Sequence, residues 1–255
     1  MKLGAQFFTL REFCKDQESL ALSLRKVADI GYTTVQLSGT CAFDAEWMKA
    51  ELAKNGLQCV VTHVPVDKLQ NDLDTVCADH KIYGCENVGL GFYSFKKCEL
   101  PVGYEEFRDS WLPVARGVKE RGLRFMYHNH SSEFRKVDGK PILLKMAEDF
   151  TPEEMGFILD TFWLQAGGVN PAEYIRKFAG RCPCIHLKDF AYAPGEVKEG
   201  ISAVGDGNIN FDAVVSAAED AGTQYLLVEQ DDCHGEDPFS ALTRSYQYLK
   251  AMGLE

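Results

Sequence analysis

Short apolar runs alternate with segments of helical periodicity along the whole chain, and this alternation limits the possible folds more than any other feature. Between the runs, apolar residues recur every three or four positions, most regularly at Tyr104, Phe107, Trp111, Val114 and Val118. The runs themselves are typical of strands buried in a parallel sheet. Eight of them are present, at residues 3–10, 33–39, 59–65, 87–92, 124–130, 156–163, 182–189 and 225–231.

Eight strand-then-helix units in 255 residues predict a (β/α)8 barrel, the TIM barrel, as a single α/β domain over residues 1–255. A doubly wound open sheet is the alternative. Such sheets usually have fewer strands and often a glycine-rich turn after the first. Here the first run ends in Phe7, Phe8, Thr9 and Leu10 without that turn, which favours the barrel.

The charge balance narrows the class of partner. The chain has 38 acidic and 27 basic residues and a formal net charge of −11. A surface of this sign argues against binding to nucleic acid or to an anionic membrane. We therefore expect neither a nucleic acid nor a membrane as a partner.

The cysteines and the N-terminal residues bear on the cellular compartment of the protein. Nine cysteines are scattered without a C-x-x-C pair, which is typical of free thiols in a reducing environment. A thiolate metal site is the alternative, because Cys184 stands two residues before His186. The N-terminal residues lack a signal-peptide core, and no apolar stretch approaches the roughly 20 residues of a spanning helix. We therefore expect a cytoplasmic protein.

Polar side chains gather at the carboxyl ends of the predicted strands, where a barrel of this type carries its active site. Residues of like parity share one face of a strand, so these side chains would converge while the apolar residues between them face the helices. The polar strand-end residues include His63, His128, His130, Asp160, His186, Lys188, Glu229 and Asp231.

A set that mixes carboxylates with imidazoles is suited to a divalent cation. Such ligands favour Mn²⁺, Mg²⁺, Co²⁺ or Fe²⁺ over a closed structural zinc site. Acidic groups packed together without a cation would repel one another. The sequence therefore predicts one divalent metal ion at the mouth of the barrel.

Five segments in order carry a resemblance to a known family. They are the H-N-H-x-x-E-F segment at 128–134, the D-T-x-W segment at 160–163, the H-x-K-D segment at 186–189, the G-x-G-x-I-N-F turn at 205–211 and the V-E-x-D end at 228–231. Together they resemble the xylose-isomerase-like superfamily of TIM barrels, in the sugar phosphate isomerase/epimerase group. The resemblance covers essentially the whole chain.

The resemblance implies a ligand set for the metal. Three ligands carry over as Asp160, His186 and Glu229. For the fourth, epimerases of the group have a Glu at the position of His128, while this chain has Glu133 five residues further on. We favour Glu133 because it restores the carboxylate count, and His128 is the alternative. Mn²⁺ is the metal we expect, with Mg²⁺, Co²⁺, Fe²⁺ or Zn²⁺ as alternatives.

The chain departs from the pattern of the family at a second position, where a residue is expected to contact the substrate. Trp163 stands where ketose epimerases tend to carry a His, which moves the resemblance towards inosose dehydratase and enzymes of 3-keto sugars and their glycosides. The substrate would then be a carbohydrate or an inositol-derived molecule. We expect it to contact His63, Trp163, Phe8 and Asp231, and Phe92 could stack on a sugar ring.

The chemistry implied is removal of a proton next to a carbonyl, through a metal-bound enediolate. Candidates for moving the proton are Glu133, Glu229, His128, His130 and Lys188. Reprotonation would give an isomerase or epimerase, and loss of a β-oxygen would give a lyase or dehydratase.

Two other classes of function stay open at this point. Endonuclease IV shares this barrel, but it would need a trinuclear metal cluster, and the charge of −11 argues against DNA. The other is a non-catalytic sugar-binding module or accessory subunit. A homo-oligomer is expected only by analogy with barrels of this group.

Overall fold

A computed structural model describes residues 1–254, and its eight main strands are all parallel and close into a barrel. We number only these strands, β1 to β8. Neighbours along the chain pair with one another, and β1 closes the ring by pairing with β8. The strands are Lys2–Gln6, Thr34–Leu37, Gln58–His63, Asn87–Leu90, Arg124–His128, Gly156–Asp160, Cys184–Leu187 and Tyr225–Val228. The (β/α)8 barrel predicted from the sequence is confirmed.

Helices surround the barrel and return the chain from the end of one strand to the start of the next. The stripe that begins at Tyr104 forms the longest helix and is buried on that face. In chain order the α-helices are α1 Gln17–Ile30, α2 Ala45–Lys54, α3 Val66–Asn71, α4 Leu73–Ile82, α5 Val102–Glu120, α6 Ile142–Asp149, α7 Thr161–Ala166, α8 Pro171–Lys177, α9 Phe211–Asp220 and α10 Pro238–Ala251.

Two strands end earlier than the apolar runs suggest, because a side chain at each strand end caps a helix. The Gln6 carboxamide accepts a hydrogen bond from the backbone N–H of Phe8, and Phe7–Phe13 continues as a 3₁₀ helix. The Asp160 carboxylate accepts from the backbone N–H of Trp163 at 3.0 Å and starts α7. Side-chain caps of this kind satisfy amides that a helix leaves unpaired.

Side-chain parity divides the core into an inner and an outer part. Ile158, Cys184 and Leu227 belong to a cluster inside the barrel, while their sequence neighbours Leu159 and Ile185 pack with the helices. The alternation predicted from the sequence is therefore confirmed for these strands. Its consequence is that Asp160, His186 and Glu229 point inward, two residues beyond their inner-core partners.

Two further features concern the cysteines and the helices. All nine cysteines are free thiols, as expected for a reducing environment. Within residues 1–254, none of the helices combines the length and the apolar character that crossing a membrane requires.

Candidate active site

Four buried side chains converge at the carboxyl ends of β5, β6, β7 and β8. His128 ends β5 and Asp160 ends β6, while His186 lies in β7 and Glu229 directly follows β8. One ligand atom from each of the four lies within 4.8 Å of the others. A buried group of two imidazoles and two carboxylates could hold a metal ion.

Hydrogen bonds fix which nitrogen of each imidazole faces this group. His128 Nδ1 lies 2.9 Å from the carbonyl oxygen of Gly91, and His186 Nε2 lies 2.7 Å from Gln36 Oε1. Both partners are acceptors, so these ring nitrogens carry the protons. The lone pairs are therefore on His128 Nε2 and His186 Nδ1, the nitrogens that face the cluster. Orientation by an outer hydrogen bond is typical of metal-binding histidines.

The two carboxylates are held in the same manner. Gln6 Nε2 donates to Glu229 Oε1 at 2.6 Å, and the backbone N–H of Trp163 donates to Asp160 Oδ1. The second oxygen of each group, Glu229 Oε2 and Asp160 Oδ2, faces the two imidazoles.

The distances and charges among these four atoms fit a cation. His186 Nδ1 lies 3.0 Å from Glu229 Oε2 and 3.6 Å from Asp160 Oδ2, and His128 Nε2 lies 3.3 Å from Asp160 Oδ2. His186 Nδ1 has no hydrogen-bond partner although it is buried. Burial alone would lower the pKa of His186, but Glu229 and Asp160 raise it above its usual value. Positive charge is therefore favoured at this position.

A lysine borders the same carboxylates. Lys188 Nζ lies 2.8 Å from Glu229 Oε2, 3.0 Å from Asp160 Oδ2 and 3.0 Å from Asp231 Oδ1. These carboxylates raise the pKa of Lys188 despite its burial, so it stays an ammonium. Three carboxylates against one ammonium leave a formal charge of two negative units, which one divalent ion would balance. Burial and Glu229 also raise the pKa of Asp231, as expected for excess negative charge.

A cavity of about 550 Å³ opens above the cluster at the mouth of the barrel. Of the residues that the sequence assigned to catalysis or to substrate, nine line it. They are Phe8, His63, Phe92, His128, His130, Trp163, Lys188, Glu229 and Asp231. The cavity also has the size of a small-molecule site.

One wall of the cavity is aromatic. The rings of His130 and Trp163 lie 5.0 Å apart, the ring of Phe92 packs edge-on against His130, and Lys188 Nζ lies 5.6 Å from the Trp163 ring centroid. Aromatic faces of this kind pack well against the C–H face of a sugar ring.

Two neutral imidazoles complete the lining. Burial lowers the pKa of His63 and of His130 well below the usual value, and the nearby ring of His128 lowers both further. His63 Nδ1 is 3.2 Å from Ser38 Oγ. The remaining nitrogens, His63 Nε2 and His130 Nδ1, are buried without a partner, as is Trp163 Nε1. A polyhydroxylated ligand is the kind of molecule that would satisfy them.

The structure separates the two candidates for the fourth ligand. Glu133 lies outside the group of four, and its carboxylate accepts hydrogen bonds from Tyr127 Oη at 2.6 Å, Ser132 Oγ at 2.7 Å and the backbone N–H of His130 at 3.1 Å. It thereby holds the turn after β5 and does not line the cavity. The converging group therefore contains His128, the alternative in the sequence, and does not contain Glu133, which the sequence favoured. Cys184, which the sequence left as a candidate thiolate ligand of a metal, lies in the inner core of the barrel.

Asp189, the last residue of the H-x-K-D segment, and Arg181, just before β7, support the neighbouring loops instead. The Asp189 carboxylate accepts hydrogen bonds from the backbone N–H groups of Gly205, Gly207 and Ile209, which pins the glycine-rich turn. Arg181 donates to backbone carbonyls around the end of α6.

Sequence reasoning missed the amides that orient the ligands. Gln6 and Gln36 lie at the inner face of β1 and β2, and both are buried. The signal was present, because each is a polar residue near the carboxyl end of its strand, where the other polar residues of the site also lie. Lys96 and Lys198 also line the cavity, Lys96 from a loop and Lys198 from the short 3₁₀ helix Val197–Gly200, and no apolar periodicity could place them there.

Comparison with protein-family models assigns the chain to a class. The family described as "Xylose isomerase-like TIM barrel" matches residues 24–252, and the chain belongs to this family. Inosose dehydratase from Clostridium perfringens (strain ATCC 13124) is 24% identical over 165 residues, which are 56% of this chain and 54% of that protein. The chain thus spans about half the length of this curated relative.

Solved structures share the fold. A sugar phosphate isomerase/epimerase from Parabacteroides distasonis ATCC 8503 matches with a TM-score of 0.81 at 21% identity, over 98% of this chain and 94% of that one. An IOLI protein with a bound zinc atom matches with a TM-score of 0.74 at 15% identity, over 98% and 97% of the two chains.

Proposed function

We propose that this protein is a divalent-metal-dependent enzyme that removes a proton next to the carbonyl of a keto sugar or related polyol, and so isomerises or epimerises it. One observation carries the proposal: four buried lone-pair atoms converge at the floor of a cavity lined by neutral imidazoles and a lysine. The family and the epimerase and dehydratase names among its relatives support the same class of substrate.

The ligands of the cation would be His128, Asp160, His186 and Glu229. A divalent cation at such a site polarises a carbonyl and stabilises the negative charge of an enediolate. Mixed carboxylate and imidazole ligands favour Mn²⁺, and the zinc atom of the IOLI neighbour supports another first-row ion, Zn²⁺.

The residues of the chain would handle the proton. His130 borders the cavity with an unpartnered Nδ1, which suits it to accept a proton from carbon. The Lys188 ammonium would donate a hydrogen bond or a proton to a substrate oxygen. Trp163 would hold the sugar ring, and the aromatic wall would limit the access of water.

Elimination of water is the second candidate. Here the C–H bond next to the carbonyl breaks, the electron pair forms a C=C bond, and the β-hydroxyl leaves as water after taking a proton from Lys188. Lys188 and the proposed base, His130, line the same cavity, which favours this outcome, as does the name of the curated relative.

The test is a substrate screen of the metal-reconstituted protein by NMR in deuterated water. The panel contains inososes, ketohexoses and 3-keto glucosides. We expect deuterium to enter next to the carbonyl in one of these classes, and an Asp160→Asn variant to abolish the exchange. Stoichiometric metal binding without exchange in any class would contradict the proposal and favour a non-catalytic sugar-binding protein.

A further inference from the structure

The cavity is lined by several lysines although the protein as a whole is acidic. The chain has a net charge of −11, yet the residues that line the cavity include three lysines and two carboxylates. The lysines are Lys96, Lys188 and Lys198, and the carboxylates are Glu229 and Asp231. The carboxylates of the floor already engage Lys188, so the positive charge without a carboxylate partner is that of the two lysines at the opening.

The three lysines differ in their partners. Lys188 is buried on the floor and is occupied by three carboxylates. Lys96 and Lys198 are exposed, and among residues 1–254 neither forms a salt bridge. Two acids are close to Lys198 in the chain: Glu199 lies against Gly195, and neither Glu196 nor Glu199 lines the cavity. Two ammonium groups are therefore left free at the opening.

These two lysines come from separate loops. Lys96 lies on the segment between β4 and α5, and Lys198 on the segment after β7. Both lysines are exposed, whereas the four converging residues are buried. The lysines therefore lie at the mouth of the cavity, and the converging residues lie at its floor. A substrate whose carbonyl reaches the floor would present its far end to the lysines. Lysine attracts anions as a flexible point charge, which suits either a carboxylate or a phosphate.

We infer that the substrate is anionic: a keto sugar or keto polyol that carries a carboxylate or a phosphate at the end remote from its reacting carbonyl, with Lys96 and Lys198 as its specificity-determining contacts. This inference rests on the proposed function for the position of the carbonyl. The charge of the bound molecule can nevertheless be measured without any turnover.

The experiment measures binding by calorimetry, with the protein carrying the metal with which it is purified. The probes are D-glucuronate for the carboxylate, D-glucose 6-phosphate for the phosphate, and D-glucose as the neutral counterpart. Each is titrated into the unmodified protein, Lys96→Ala, Lys198→Ala, the double variant and Lys97→Ala. Lys97 is the matched control, because it is exposed and adjacent to Lys96 but does not line the cavity.

We expect at least one anionic sugar to bind about tenfold more tightly than D-glucose. Each single variant should weaken that binding about threefold and the double variant about tenfold, the range for exposed charge pairs. Lys97→Ala and the neutral sugar should show no change. A preference for D-glucuronate would identify a sugar acid, and a preference for D-glucose 6-phosphate a sugar phosphate.

The inference is overturned if D-glucose binds as tightly as both anionic sugars, if neither anionic sugar binds at millimolar concentration, or if Lys97→Ala weakens binding as much as Lys96→Ala. The two proposals fail separately. Deuterium exchange into a neutral keto sugar, unaffected by the double variant, would remove the anionic substrate and leave the proposed function. Tighter binding of an anionic sugar, without deuterium exchange into any keto sugar, would remove the proposed function and leave the preference for an anionic ligand.

Discussion

His186 Nδ1 and Glu229 Oε2 face each other at 3.0 Å inside the mouth of the barrel. Gln36 engages the opposite nitrogen of the imidazole, and Gln6 engages the other oxygen of the carboxylate. Lys188 Nζ, at 2.8 Å from Glu229 Oε2, supplies one positive charge, and the formal charge of two negative units that remains on this group favours a further one. The amides therefore prepare the site for a cation, and the metal affinity should depend on them.

Replacing Gln36 by Leu should weaken metal binding about 10- to 100-fold, the usual effect of losing an outer hydrogen bond to a metal-binding histidine. The reason is that His186 would lose the partner that keeps the proton on Nε2. Metal affinity measured by competition with a chelating dye provides the readout. Gln58→Leu is the control, because Gln58 is exposed at the start of β3. Equal losses in both variants would count against the orienting role.

Variants of His128 and Glu133 should differ in their metal content and in their stability. His128→Ala should lower the metal content, because it removes one of the four converging atoms. Glu133→Gln should retain the metal but lower the free energy of unfolding by about 1–3 kcal/mol, since the new amide N–H group meets buried hydrogen-bond donors. Elemental analysis and thermal unfolding measure the two effects. Loss of metal in Glu133→Gln alone would restore Glu133 as the ligand.

Metal removal should destabilise the fold through the same residues. Saturation at about 100 times the dissociation constant adds about 2.7 kcal/mol to the stability of the native state. Treatment with EDTA should therefore lower the melting temperature of the unmodified protein. Asp160→Ala and His186→Ala should contain little metal by elemental analysis, and EDTA should not shift their melting temperatures. Unchanged metal content in both variants would mean that the ligands are assigned wrongly.

A buried histidine away from the site should make stability depend on pH. Burial lowers the pKa of His80 to about 4, and its ring is held by Thr62, Tyr83 and the carbonyl of Val76. Since the unfolded chain takes up a proton near pH 6.5 and the native state does not, stability is complete above this pH and falls towards pH 4. The loss between pH 6.5 and 5 should be about 2 kcal/mol.

Urea unfolding across this pH range provides the measurement for His80. His80→Gln should flatten the pH dependence, and His234→Gln, at an exposed position, should leave it unchanged. A slope that survives in His80→Gln would assign the effect to other buried groups.

The sequence was sufficient for the barrel and for the convergence of the four residues at its mouth. Apolar periodicity and strand parity depend only on local spacing, so His128, Asp160, His186 and Glu229 could be placed among the inward-facing strand ends. The choice between His128 and Glu133 could not be made in this way. It depends on a turn in which Tyr127 and Ser132 capture the Glu133 carboxylate. Lys96 and Lys198 depend on loop conformation, which has no period to read.

The central claim is that His128, Asp160, His186 and Glu229 hold one divalent cation, and anomalous X-ray scattering tests it most directly. Crystals grown with Mn²⁺, and separately with Zn²⁺, would be measured above and below the absorption edge of each metal. We expect one strong peak at about 2.0–2.2 Å from His128 Nε2, Asp160 Oδ2, His186 Nδ1 and Glu229 Oε2. No peak at the barrel mouth, or a peak coordinated by Glu133 in place of His128, would contradict the account.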